Sequence, residues 1–203
     1  MARVRNGIIA GLRGVIGQME VYEVKGHVYA RLRRQKTKKA PSAKQLACRA
    51  RMQTVSEFLN PLTPFLKVGY AAIAKKSRGS TYNAAVSYNM KNAVDENGLH
   101  YERTRVAEGP ISNYGLNAKV KWKDNKLVFT WDQNGEDSDD QVMLLAYCHY
   151  SHVVYNLEGA TRDKGKDILA IDEKDHYLVY ISFVSKDRKR CSNSVYLGEI
   201  RCL

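Results

Sequence analysis

Residues 41–76 leave the chain little choice but helix. Cys48, Met52, Val55, Leu59, Leu62, Leu66, Gly69 and Ile73 recur at alternating steps of four and three, which lays one apolar stripe along a helix. Ser42 followed by Gln45 has the form of a capping box, and Pro41 keeps the residue before it out of helix. Asn60-Pro61 interrupts the stripe. Asn is a good N-cap and Pro suits the first helical position, so the expected elements are helix 42–59 and helix 61–75. The stripe predicts core packing. An oligomer seam is the alternative, because the other faces carry Lys44, Arg49, Arg51 and Lys75. Residues 80–94, STYNAAVSYNMKNAV, predict a third helix, capped by Ser80 or Thr81 and ended by Asn97-Gly98. Asn83 and Asn89 inside it call for local bonds to the backbone or for buried backbone groups of the hairpin to satisfy.

The segment before the helices is basic. Residues 1–78 hold 17 Lys and Arg against three Asp and Glu, whereas residues 79–203 hold 16 against 18. Gly7, Gly11, Gly14 and Gly17 punctuate an apolar opening that includes Ile8, Ile9, Leu12, Val15 and Ile16. Apolar side chains on so glycine-rich an arm need a surface to cover them. The expected surface is either the chain's own helices or a neighbouring copy. Residues 18–34 read as a hairpin turning at Lys25-Gly26. Arg31, Arg33, Arg34, Lys36, Lys38 and Lys39 follow closely, with Arg49 and Arg51 on the first helix. These eight cations suit phosphate contact without sequence readout, or an acidic partner, or a plain solvated face. No aromatic RNA-binding pair, zinc finger or helix-turn-helix accompanies them.

From Tyr101 onward the period changes to two. Strands are expected at 103–111, 116–122, 126–132, 141–150, 152–156, 167–171, 176–185 and 193–200, with an acidic loop at 133–140 and a basic turn at 186–192. Phe129 and Trp131 share one face of their strand, as do Tyr177, Val179, Ile181 and Phe183 of theirs. With its Trp-bearing early strand and Tyr-led penultimate strand, this half resembles a fibronectin type III domain. No Cys…Trp…Cys pattern of antibody domains is present. The expected fold class is therefore α+β: an N-terminal hairpin and helical segment (1–98), then an immunoglobulin- or fibronectin-III-like β-sandwich (99–203).

The first half carries a second resemblance. Gln45 and Arg49 form a Q-x-x-x-R helix, Phe58 to Tyr70 read FLNPLTPFLKVGY, and Asn83 to Asn89 read NAAVSYN. That order resembles a family of bacterial and phage proteins of unknown function. Short Q-x-x-x-R segments of this kind also occur in phage structural proteins. The resemblance implies a virion or related assembly and no chemistry.

Catalytic signatures are missing. There is no GxGxxG and no GK[ST], so no cofactor is expected. His149 and His152 fall on opposite faces of one strand, which disfavours a shared metal. Asp172, Glu173, Asp175 and His176 cluster near a turn, and Asp137, Asp139 and Asp140 near a loop, as solvated surface does. The cysteines, Cys48, Cys148, Cys191 and Cys202, lack metal spacing. Cys48 and Cys148 read as buried apolar residues, and pairing of Cys191 with Cys202 stays open. No apolar run approaches the roughly 18 residues of a membrane span. Arg13 breaks what would be a signal-peptide core, so the expected location is the cytoplasm or a virion-like particle. These features predict a non-enzymatic structural or assembly protein with protein partners or further copies of itself. The alternative is a nucleic-acid-associated protein without sequence readout.

Overall fold

The computed structural model describes residues 2–4, 11–24, 26–35, 39–77, 79–113, 116–133, 139–148 and 153–202. Gly7, Ile8, Ile9, Lys25, Lys36, Lys38, Asp137, His149 and His152 lie outside the described residues. Contacts divide the chain into two units, Met1–Ser42 and Ala43–Leu203, and the helices fall in the second.

The first unit is one antiparallel sheet. Strands β1 (Ala2–Val4), β2 (Gly14–Ile16), β3 (Met19–Val24) and β4 (His27–Leu32) lie in the order β1-β4-β3-β2. β3 and β4 are the expected hairpin, with Gly26 supplying a φ of +74° at the turn. The ends of the opening arm pair with the two outer edges of the hairpin, β1 on β4 and β2 on β3, because an unpaired strand edge offers backbone donors and acceptors that short segments can satisfy. The register sorts the side chains. Val4, Ile16, Met19, Val21, Glu23, Val28, Ala30 and Leu32 share one face, while Arg3, Val15, Glu20, Tyr22, Val24, His27, Tyr29 and Arg31 share the other.

The second unit opens with α1 (Ala43–Leu59), α2 (Thr63–Gly69), α3 (Ala71–Ser77) and α4 (Thr81–Asn92). The Ser80 hydroxyl accepts from the Asn83 N–H at 3.0 Å and caps α4. Ala93 ends that helix, and Asn97-Gly98 instead belongs to a small hairpin of β5 (Val94–Asp95) and β6 (Gly98–Leu99). The single helix expected over 61–75 is broken at Tyr70. The Gly69 carbonyl, which would serve the next helical turn, accepts instead from the Glu108 N–H at 2.9 Å and the Cys191 thiol at 2.9 Å.

Among the described residues seven strands follow: β7 (Lys119–Lys123), β8 (Lys126–Thr130), β9 (Gln141–Cys148), β10 (Val153–Asn156), β11 (Lys166–Ala170), β12 (His176–Val184) and β13 (Val195–Arg201). They form two antiparallel sheets, β11-β8-β7 and β10-β9-β12-β13. Phe129, Trp131, Tyr177, Val179, Ile181 and Phe183 are all buried in one apolar cluster with Val142 and Leu144. Trp131 meets Phe183 edge-on at 5.7 Å and donates its indole N–H to the Arg162 carbonyl at 2.8 Å. The Tyr177 hydroxyl donates to the Glu173 carbonyl at 3.0 Å, the back-bond of a tyrosine corner. The chain is thus α+β, with an immunoglobulin- or fibronectin-III-like sandwich.

The opposite face of the four-stranded sheet is not exposed. Met143, Leu145, Tyr147, Leu178, Tyr180 and Val184 join Phe58, Leu59, Leu62, Phe65, Leu66 and Ala85 of the helices in a second core. Phe58 packs against Tyr147 at 5.0 Å and Tyr180 at 6.4 Å. Helices, four strands and three strands are therefore stacked as three layers. Within the helical stripe Val55, Leu59, Leu62 and Leu66 are buried. Residues 43–53 of α1 are exposed throughout, which leaves Cys48 and Met52 in solvent rather than in the core. Among the described residues no helix is long and apolar enough to cross a membrane.

All four cysteines are free, and Cys191 and Cys202 do not pair. Burial pushes both of their thiols up to about 11, so neither supplies thiolate near neutral pH. A disulfide-exchange reagent at pH 8 is expected to label Cys48 alone in the native protein, and all four sites after denaturation. Fast native labelling at Cys191 would contradict the packing described.

Candidate functional site

The basic residues singled out by the sequence are divided between the two units. Arg31 lies mid-strand on β4, where Glu20 meets its guanidinium at 2.7 Å and Tyr22 lies beneath it at 5.1 Å. The hydrogen bond that Arg31 donates to the Glu20 carboxylate, with that carboxylate's charge, raises the Arg31 pKa. Tyr22 in turn stacks on Tyr29 at 6.0 Å. Arg33 and Arg34 are exposed just past β4, and Lys39 is exposed beyond them. Arg49 and Arg51 belong to the second unit, on the exposed half of α1.

A different set of residues is drawn together where residues 105–111 cross the second unit. This stretch was expected to be a strand, but it has no ladder beyond one isolated bridge, Ile111 to Ser192. Its N–H groups are satisfied one by one. Arg105 donates to the Asn89 side-chain oxygen at 3.0 Å, Val106 to the Ser194 hydroxyl at 3.0 Å, and Gly109 to the Asn193 side chain at 3.3 Å. Glu108 donates to the Gly69 carbonyl and Ile111 to the Cys191 carbonyl at 3.0 Å. Asn89, fully buried on α4, also donates to the Arg105 carbonyl at 2.9 Å, which the Tyr70 hydroxyl reaches at 3.2 Å. Two glycines allow the close approach. A Cβ on Gly69 would sit 2.7 Å from the Val106 carbonyl oxygen, and one on Gly109 would overlap the Cys191 carbonyl oxygen.

Next to this crossing lies a cleft of about 780 Å³. Lys75 and Lys76 come from α3, Arg105 and Glu108 from the crossing segment, and Arg188, Lys189 and Arg190 from the basic turn. Arg105 is stacked over the Tyr88 ring at 4.5 Å and stands 4.0 Å from Glu108. The basic turn is tied down. Asp187 accepts from the Ser185 hydroxyl at 2.6 Å and the Lys189 N–H at 3.1 Å, bonds that hold its carboxyl down at about 2. Arg188 takes a left-handed φ of +54° and donates to Glu158 at 2.7 Å.

Residues 11–198 match the family described as "Family of unknown function (DUF6266)". The chain belongs to the DUF6266 family. No curated protein and no solved structure matches it. In this DUF6266 chain the quoted motifs have a structural use: Gly69 and Tyr70 of the second motif and Asn89 of the third converge on the 105–108 backbone.

The acidic and histidine cluster of the DUF6266 chain has other employment. The His176 ring is 3.0 Å from Glu199 on the neighbouring strand. Asp175 accepts from the Cys148 thiol at 3.0 Å and from the His176 backbone. Among the described residues, no group of three or more His, Cys, Asp or Glu is placed to hold a metal ion. Sequence reading missed the cleft because its walls are separated by some thirty and eighty residues. The consecutive cations Arg188, Lys189 and Arg190 were its one local signal.

Proposed function

We propose that this chain is a non-enzymatic structural or assembly protein, incorporated into a virion or similar particle, whose N-terminal sheet meets a second copy of itself. The observation that supports this reading is the aliphatic face of that sheet. Leu32 is 73% exposed and Ile16 40%, with Met19, Val28 and Ala30 only half-buried. Val21 of that face is buried, and the aliphatic side chains that stay exposed around it are a contact surface or an aggregation hazard. Arg3 and Arg31 lie on the opposite face. Two copies can therefore stack aliphatic face to aliphatic face, about 10 Å apart, without setting those cations against each other.

Ile16→Lys with Leu32→Lys is the test. The double variant is expected to shift the light-scattering mass toward the monomer, while the thermal transition of the second unit stays within about 1 °C. An unchanged mass distribution would overturn the proposal. A second reading, contact with nucleic acid, is favoured by the stacked Tyr22 and Tyr29 beside Arg31, with Arg33, Arg34 and Lys39 exposed nearby. Neutralising Arg31, Arg33, Arg34, Lys36, Lys38 and Lys39 should then flatten the salt dependence of DNA binding. Unchanged affinity and slope would remove this reading.

A further inference from the structure

The basic cleft is independent of the N-terminal sheet and lies wholly within Ala43–Leu203. We propose that it binds a small organic phosphate, a nucleotide-like molecule with two or three phosphate charges and an apolar or aromatic body. Its volume falls within the range of small-molecule sites. Six cations line it, and Glu108, Glu158 and Asp187 offset three of them through contacts of 4.0, 2.7 and 3.3 Å. Lys75 and Lys76 leave an excess of positive charge in one concavity, where low-dielectric walls strengthen their field.

Among the described residues Lys75 and Lys76 have no ion pair, so their charges are available to a ligand. Two side chains are already oriented before any ligand arrives, Arg105 by the Tyr88 ring and Arg188 by Glu158. Their walls are fixed by the hydrogen bonds along residues 105–111 and by the Ser185–Asp187 turn. Such prior ordering lowers the entropy lost on binding. Ala71, Ala72, Ile73 and Pro110 supply an apolar side to the same cleft. The pattern is that of an amphiphilic anion: phosphates toward the lysines and arginines, the body against the alanines, Ile73 and Pro110. Guanidinium groups match phosphate oxygens in pairs, while lysines act as point charges.

Titration calorimetry on the full chain tests this with four probes: inorganic pyrophosphate, ADP, adenosine and a 20-base-pair DNA duplex. Pyrophosphate and ADP are expected to bind one to one, ADP more tightly, with affinity falling as salt rises. Adenosine should bind at least tenfold more weakly than ADP. Lys75→Ala, Lys76→Ala and Lys189→Ala together should weaken ADP at least tenfold while leaving the unliganded melting temperature unchanged. Lys75→Arg with Lys76→Arg should keep binding within a few-fold, which separates lost charge from damaged fold. Absence of saturable binding by both pyrophosphate and ADP would overturn the proposal. So would equal affinity in the triple alanine variant, adenosine binding as tight as ADP, or binding of the duplex alone.

Discussion

Residues 99–203 expressed without the helices are expected to lose cooperative thermal unfolding. The sandwich sequence looks self-sufficient, since Trp131, Phe183 and Tyr177 fill the space between its own sheets. Its four-stranded sheet nevertheless has two buried faces. Removing the helices would open Met143, Leu145, Tyr147, Leu178, Tyr180 and Val184 to water. At roughly 1.5–3 kcal/mol for each large side chain, the loss is on the order of 10 kcal/mol, comparable with the whole stability of an ordinary domain. The fragment should bind a hydrophobic dye and show no sharp calorimetric peak. A cooperative transition from residues 99–203 alone would mean that the helix-facing side contributes little, contrary to the packing.

Asn89→Leu is expected to cost about 3 kcal/mol, because a buried polar group left without its partner is penalised by about 1–3 kcal/mol. Leucine branches at Cγ as asparagine does, but it is bulkier and makes none of its hydrogen bonds. The Arg105 N–H would lose its acceptor, and the Ala85 and Arg105 carbonyls would each lose a donor. The Tyr70 hydroxyl still reaches the Arg105 carbonyl, which keeps the loss from being larger. For a unit of this size the melting temperature should fall by about 6–12 °C. Asn83→Ala, on the exposed side of the same helix, should change stability by less than about 0.5 kcal/mol. Equal effects at the two asparagines would contradict the role assigned to Asn89.

Much of this architecture could be read from the sequence. The β3–β4 hairpin, the span of α1 and the strands β8 and β12 each carry a period or a turn signal that acts locally. Other features depended on partners far away in the chain. In β12 the alternation of Tyr177, Val179, Ile181 and Phe183 pointed to one buried face, yet Leu178 and Tyr180 between them are buried too. Strands covered on both sides read as continuous apolar runs, and QVMLLAYC in β9 is such a run. The helices' destination was therefore present in the sequence and was overlooked. Residues 105–111 were a harder case: their acceptors include Asn89 and Ser194, 16 and 88 residues distant, and no local pattern announces such bonds. The strands of the arm span only three residues each, too short for alternation to be seen. Of the basic residues proposed for contact, Arg31 was placed on a strand correctly, but nothing in the sequence showed that Glu20 would meet its charge. The cleft cations were hidden for the same reason as the crossing segment, since only the folded chain brings residues 75, 105 and 189 together.

The most direct test of the two-unit account is the light-scattering mass of residues 43–203 beside that of the full chain over a range of concentrations. The account predicts that the full chain associates while residues 43–203 stay monomeric and keep a single cooperative thermal transition. A shortened chain that associates as the full chain does, or a full chain that is monomeric at every concentration, would contradict it.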